Sequence, residues 1–192
     1  VGSDQTAPTI ITGQTAETSI ATDDTILIHD TSASALRKMT RANFVSGIGN
    51  TPGFSVRNTS DQTFSANTNT KATFNTEDYD SDSAFASDKF TVPSGAAGKY
   101  FIGFRFGYKV ASSDFTEYLA YVYLNGSEAR VSARQKFNSS YMVQNSTNRA
   151  TAAGIMDLSV GDYIELFLLI NTGGGTPTST ANQTEFFGFK IG

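Results

Sequence analysis

For most of its length this sequence predicts an all-β fold, an antiparallel β-sandwich, on three observations. Tyr100, Ile102, Phe104 and Phe106 occupy every second position, with Phe101, Gly103 and Arg105 between them. At the two-residue period of a strand, that places four bulky side chains on one face, which reads as core. Asn125-Gly126 separates two extended runs, Tyr118–Leu124 and Glu128–Gln135, and supplies the positive φ angles of a tight hairpin turn. Further short apolar runs at Ala72–Thr76, Phe85–Val92, Ala150–Leu158, Tyr163–Ile170 and Thr184–Ile191 are separated by Gly, Asn, Asp and Ser clusters. No convincing helix lies among them, and this spacing favours a sandwich or jelly roll.

Composition removes several function classes. The 192 residues suffice for a real hydrophobic core, as one domain with an appendage or two small domains. There is no cysteine, so packing and backbone pairing hold the fold without disulfides. Lys and Arg total 14 against 18 Asp and Glu, a net charge of -4, which lacks the one-signed basic surface that nucleic acid requires. The longest apolar run, Ile164–Ile170, is broken by Glu165 and falls far short of the roughly 20 residues of a membrane helix, so no membrane insertion is expected. The chain begins at Val1 without an initiator Met, which reads as a fragment or processed product.

Two regions are expected, residues 1–53 and 54–192. Residues 1–24 are rich in Thr, Ser, Ala and Asp and bury too little apolar surface to order alone. Ile26, Leu27 and Ile28 then read as a short strand, His29–Ser34 as a turn and Leu36–Met39 as a second strand, a small hairpin. Thr40 is placed to cap a helical turn over Arg41–Val45. Gly47–Gly53, with three glycines and Pro52, reads as a linker.

The second region resembles the globular head of complement C1q and the tumour necrosis factor-like jelly rolls. Lys71-Ala72-Thr73-Phe74-Asn75 is similar to that family's opening strand, and Lys89-Phe90-Thr91-Val92-Pro93 followed by Gly98-Lys99-Tyr100 to its Phe-Thr-x-Pro signature. Tyr121–Gly126 is similar to the hairpin that follows, Leu158–Ile164 to the Leu-x-x-Gly-Asp turn, and Phe186–Ile191 to the closing strand. Ser94–Gly98 lengthens the turn after Pro93, and Gly103 stands where the pattern is aromatic-rich. The resemblance covers about residues 62–192 and implies a ten-stranded jelly roll that assembles as a homotrimer. It assigns Phe74, Phe90, Tyr100, Phe104, Phe106, Phe187 and Phe189 to core or shared subunit contacts. The 15 Phe and 8 Tyr are many for a domain of this size, which gives subunit burial a physical reason.

Thr22–Asp30, Leu36–Thr40 and Asn43-Phe44 resemble a short module of phage tail fibres and other virion appendages. A trimeric stem carrying a trimeric head needs no symmetry adaptor. The layout implies a virion fibre or spike protein on the surface of a particle, its head meeting a host glycan or protein and its N-terminal segment other virion proteins. Three identical weak sites would act by avidity. Two alternatives stand beside it: a head that only registers and caps the trimer, and a secreted lectin-like or cytokine-like module.

Candidate sites are few, and no enzyme is expected. His29 is the sole histidine, so a histidine-based catalytic or metal cluster is hard to build. Glu77, Asp78, Asp80 and Asp82 could offer oxygens to calcium, the one cofactor considered, although their spacing is not that of a calcium loop. Tyr141, Met142, Gln144, Asn145 and Arg149, within Phe137–Arg149, suit a receptor contact, because aromatics stack on sugars while amides and guanidinium hydrogen-bond them. Asn171–Asn182, with Gly173-Gly174-Gly175-Thr176-Pro177, reads as a mobile loop. The Asn-x-Ser/Thr sequons at Asn58, Asn125, Asn138, Asn145 and Asn182 are expected by chance in a chain this rich in those residues.

Overall fold

The computed structural model describes residues 15, 18–46, 52–110, 115–136 and 147–191. The chain divides into two compact units, Val1–Gly49 and Asn50–Gly192.

In the first unit, β1 (Thr25–Asp30) and β2 (Ala35–Thr40) pair antiparallel, and a short helix, α1 (Arg41–Ser46), follows. The turn is shorter than expected, because His29 and Asp30 are strand residues. Asp30 closes it by accepting from Ser32 Oγ at 2.6 Å and Ala33 N at 3.1 Å, an Asx turn. Thr40 does cap α1: its hydroxyl accepts Asn43 N at 3.2 Å. The pairing places Ile26, Ile28 and Met39 on one face of the ribbon and Leu27 and Leu36 on the other.

The second unit is a two-layer antiparallel sandwich. Its strands are β3 (Gly53–Asn58), β4 (Thr70–Lys71), β5 (Thr76–Asp80), β6 (Phe85–Ala86), β7 (Lys89–Thr91), β8 (Gly98–Val110), β9 (Phe115–Leu124), β10 (Ser127–Lys136), β11 (Asn148–Leu158), β12 (Tyr163–Thr172), β13 (Pro177–Ser179) and β14 (Thr184–Lys190). One sheet runs β10-β9-β12-β7-β6, with β4 beside β12; the other runs β11-β8-β14-β3-β5, with β13 beside β8.

The long strands form where alternation is clearest. Along β8, Tyr100, Ile102, Phe104, Phe106, Tyr108 and Val110 are buried; along β12, Ile164, Leu166, Leu168 and Ile170 are. Asn125 and Gly126 have φ of 51° and 80°, and the hairpin they close pairs β9 with β10. Its turn is tied to the turn before β12: Asn125 Nδ2 donates to Asp162 Oδ1 at 2.7 Å, and Tyr163 N donates to Asn125 Oδ1 at 3.0 Å. Asp162 Oδ2 also accepts Ser159 N at 2.7 Å, so the Leu-x-x-Gly-Asp segment is held by side chain to backbone bonds.

The structure corrects the sequence reading in four places. The sandwich opens at Gly53, inside the expected linker, because Phe54 and Val56 point into the core and β3 pairs with both β14 and β5. The expected strand Ala72–Thr76 is a crossing: β4 belongs to one sheet and β5 to the other. Side chains satisfy its backbone, with Phe74 N donating to Asp88 Oδ1 at 2.8 Å and Asn58 Nδ2 to Thr73 O at 3.2 Å. Phe85–Val92 is not one strand, because Ser87 and Asp88 adopt φ of 53° and 58° and turn it into a hairpin. The glycine-rich stretch contains β13, whose Ser179 is fully buried and donates its N–H to Gln62 O at 2.7 Å. These changes turn the ten expected strands into two six-stranded sheets.

Aromatic rings join the layers. Phe54 stacks on Phe90 at 4.8 Å, Phe90 lies 5.7 Å from Tyr100, and Phe64 meets Phe106 edge-on at 5.8 Å. Toward the other end, Tyr108 lies 4.8 Å from Tyr118 and 5.6 Å from Phe115. Tyr100 donates its hydroxyl to Ala96 O at 2.6 Å, and burial pushes its pKa up to about 12. Tyr108 is fully buried, and its hydroxyl has no hydrogen-bond partner among the described residues. Since an orphaned buried hydroxyl carries its desolvation cost without return, Tyr108→Phe should stabilise the chain by about 1 kcal/mol. Urea unfolding followed by circular dichroism checks this; a loss of stability would show that the hydroxyl is bonded.

Candidate binding face

Each sheet buries one face and turns the other outward, and the two outward faces differ. On β9 and β12, Tyr121 and Tyr123 stack at 5.5 Å, and Tyr123 and Phe167 stack at 4.2 Å. Their flat ring faces are thus used on one another, and Tyr121 is buried. Polar groups close the margins of this ladder. Asn69 donates to the Tyr123 hydroxyl at 2.6 Å, Lys71 pairs with Glu165 at 2.7 Å, and Arg134 Nε and Asn171 Nδ2 donate to Glu117 at 2.6 and 3.0 Å. This face satisfies itself.

The outward face of the other sheet does not. Register aligns Ile155, Phe101, Phe189 and Gly53 in one row across β11, β8, β14 and β3. The next row runs Ala153, Gly103, Phe187, Ser55 and Tyr79, ending on β5. Ile155 is 63% exposed, Tyr79 50% and Phe189 41%. Phe101 lies 5.6 Å from Phe189 and 6.4 Å from Phe187. Gly103 explains its own place here: a Cβ on it would sit 2.6 Å from Phe187 Cζ, so the missing side chain is the seat of that ring. Charges border the patch, with Arg105 and Glu185 paired at 3.4 Å, Arg57 and Asp78 at 2.8 Å, and Lys99 opposite Asp157. An apolar centre with a polar rim is the anatomy of a protein contact surface.

The predicted aromatic residues separate into two groups. Phe90, Tyr100, Phe104 and Phe106 are fully buried in this chain's own core, and Phe74 packs half-buried against it. The four fully buried rings take the core alternative of that assignment. Phe187 and Phe189 do lie on the outward face. Phe101, Ile155 and Tyr79 were missed there, because alternation was followed on only one side of β8; the odd positions 101, 187 and 189 were the available signal.

Of the receptor candidates, Tyr141, Met142, Gln144 and Asn145 lie outside the described residues. Arg149 is exposed on β11, opposite Gly107, and its Nε donates to Gln183 Oε1 at 2.8 Å. The calcium candidates are not brought together. Asp78 pairs with Arg57, Asp80 accepts Ala84 N at 3.0 Å and Phe85 N at 2.9 Å, and Asp82 accepts the Ser81 hydroxyl. Among the described residues no group of three His, Cys, Asp or Glu could hold a metal ion. His29 is exposed on β1 in the first unit.

No protein-family model matches the chain, and no curated protein does either. Solved structures do, with 214 chains matching. The globular domain of zebrafish complement 1qA has TM-score 0.53 and 18% identity, over 74% of this chain and 98% of its own. Murine APRIL, a tumour necrosis factor-type structure, has TM-score 0.52 and 14% identity, over 73% and 98%. The fold is the C1q and tumour necrosis factor jelly roll. At these identities the likeness is one of fold, and within this jelly roll the β11-β8-β14-β3-β5 sheet carries the exposed aromatic face.

The self-satisfied face makes a pH prediction. The Arg134 hydrogen bond, helped by Asn171, holds the Glu117 carboxyl below the usual carboxylate range. Away from that face, Lys109 on β8, with Ala181 N, does the same for Asp61. A pKa lowered by folding gives stability that is full above the unfolded value of about 4 and is lost as pH falls through the folded value. Glu117→Gln should therefore destabilise the chain at pH 7 and flatten the loss of stability below about pH 4. Melting temperatures measured from pH 7 to pH 2 test it; an acid limb as steep as that of the unmodified chain would sink the assignment.

Proposed function

We propose that this chain is a self-associating binding module without enzymatic activity, a homotrimer in which the outward face of the β8 and β14 sheet is covered by neighbouring copies. The observation that carries this is the row of Ile155, Phe101 and Phe189 with Phe187 in the row beside it, a partly exposed apolar surface contiguous across three strands. Such a surface on a lone chain costs solubility, whereas at a subunit contact it is buried. The threefold arrangement is what the resemblance to C1q-like and tumour necrosis factor-like heads supports.

Within that reading the module is the tip of a virion fibre or spike, most plainly of a bacteriophage, presenting three copies of its loops to a host glycan or protein. The resemblance of residues 22–44 to fibre segments supports this. So does the hairpin of the first unit, which carries apolar residues on both faces although a two-stranded ribbon cannot bury both unaided. A secreted lectin-like or cytokine-like module would share the jelly roll but gives no account of that hairpin.

Sedimentation equilibrium should give three times the chain mass. Phe101→Ser with Phe189→Ser should raise the dissociation constant at least roughly 100-fold, since each buried ring contributes about 1.5–3 kcal/mol, while circular dichroism stays unchanged because neither ring is in the core. A monomeric unmodified chain at high concentration would overturn the self-association. For the fibre reading, the isolated head should bind host cells or an arrayed glycan, and Arg149→Ala should weaken that binding; an intact trimer that binds neither would leave the tip without a receptor role.

A further inference from the structure

On the edge of the sandwich formed by β5 and β6, the crossing of the chain between sheets leaves an open cleft of about 410 Å³. Its apolar lining is Val56, Phe74, Phe85 and Ala86, with the two rings 6.0 Å apart and nearly perpendicular. Its charged lining is Glu77 and Asp88, and no basic residue contributes to it. The Glu77 carboxylate is exposed and makes no hydrogen bond or ion pair among the described residues. Asp88 accepts Phe74 N through Oδ1, which leaves Oδ2 without a partner there. Lys71 reaches the Ser87 carbonyl at 2.8 Å, but its charge is already matched by Glu165 at 2.7 Å.

These features restrict the occupant. An anion meets only carboxylates. A wholly apolar group fills the aromatic part but leaves the negative charge unmatched. A metal ion lacks a third acidic ligand among the described residues. An alkylammonium suits both parts, since its methylene stem packs on aromatic rings, its charge is attracted by ring faces, and its ammonium pairs with carboxylates.

We propose that this cleft receives a lysine side chain of a partner protein, its stem on Phe74 and Phe85 and its ammonium at the Glu77 and Asp88 carboxylates. The proposal rests on the binding-module reading for the existence of a partner, but it does not depend on self-association, because the cleft is lined wholly by one chain.

The test uses the full chain, with n-butylammonium as the lysine probe and n-butanol as its neutral match, followed by amide chemical shifts at low salt. Saturable shifts are expected at Phe74, Asn75 and Ser87, with a dissociation constant on the order of millimolar for so small a probe. Glu77→Gln should weaken binding roughly three- to fivefold, the worth of one exposed ion pair. Added salt should weaken it too, and that series on the unmodified chain decides the matter if the variant does not fold. Equal, salt-independent binding of butanol, absence of saturation, or shifts centred on Phe101 and Phe189 would each overturn the proposal. Shifts at the cleft that grow with protein concentration before any probe is added would assign the lysine to a second copy and overturn the separate partner. The Phe101→Ser, Phe189→Ser chain should bind the probe as the unmodified chain does, so failure of the trimer leaves this result interpretable, and the reverse holds as well.

Discussion

Phe54 of one sheet lies flat against Phe90 of the other at 4.8 Å, and the sandwich is arranged around keeping that contact dry. Phe186 meets Phe54 edge-on at 5.0 Å, and Tyr100 continues the line from Phe90 at 5.7 Å. With no cysteine to cross-link the layers, this inter-sheet aromatic seam carries the burden that disulfides carry in many small β domains. Its dependence on both sheets explains why β3 matters although it is short: without Phe54 and Val56 the seam would open on one side.

The seam also decides what is left for the surface. A strand has two faces, and β8 uses one for the core and the other for Phe101, Gly103 and Arg105. Because the core takes its aromatics from even-numbered positions of β8 and β14, the odd positions are free to carry a different function. Gly103 lets Phe187 lie across the sheet, and the ring then joins Phe101 and Phe189 in one apolar patch. The opposite sheet spends its outward rings on each other and on ion pairs. The asymmetry leaves one outward face apolar and partly exposed and the other closed by its own contacts.

Turn chemistry holds the ends in place. Asn125 and Asp162 tie the β9–β10 turn to the turn before β12, and the Asp162 carbonyl accepts Val92 N at 2.8 Å. Three segments distant in sequence are thereby fixed by groups that each satisfy an exposed backbone donor or acceptor. Asp80 and Asp88 do similar work at the β5–β6 edge. Residues rich in Asn, Asp and Ser, which read as plain solvated loops, are here the fasteners of the strand ends.

The sequence by itself determined the fold class, the β9–β10 hairpin, the capped turn after Thr40 and the core face of β8. Each follows from a local rule: a two-residue period, the positive φ of Asn-Gly, or a hydroxyl placed before a helix. Tertiary structure decided what no local rule contains. It placed Gly53–Asn58 in the sheet, where only two apolar residues marked a strand and neighbouring strands supplied the rest. It separated Phe90, Tyr100, Phe104 and Phe106, closed in the core, from Phe187 and Phe189, open on the surface, since a ring's exposure depends on which strand lies beside it. It set Glu77 and Asp88 at the mouth of an aromatic cleft, although the sequence had grouped Glu77 with Asp78, Asp80 and Asp82. Neighbours along a strand point to opposite faces, and only the folding of one sheet over the other brings distant carboxylates and rings together.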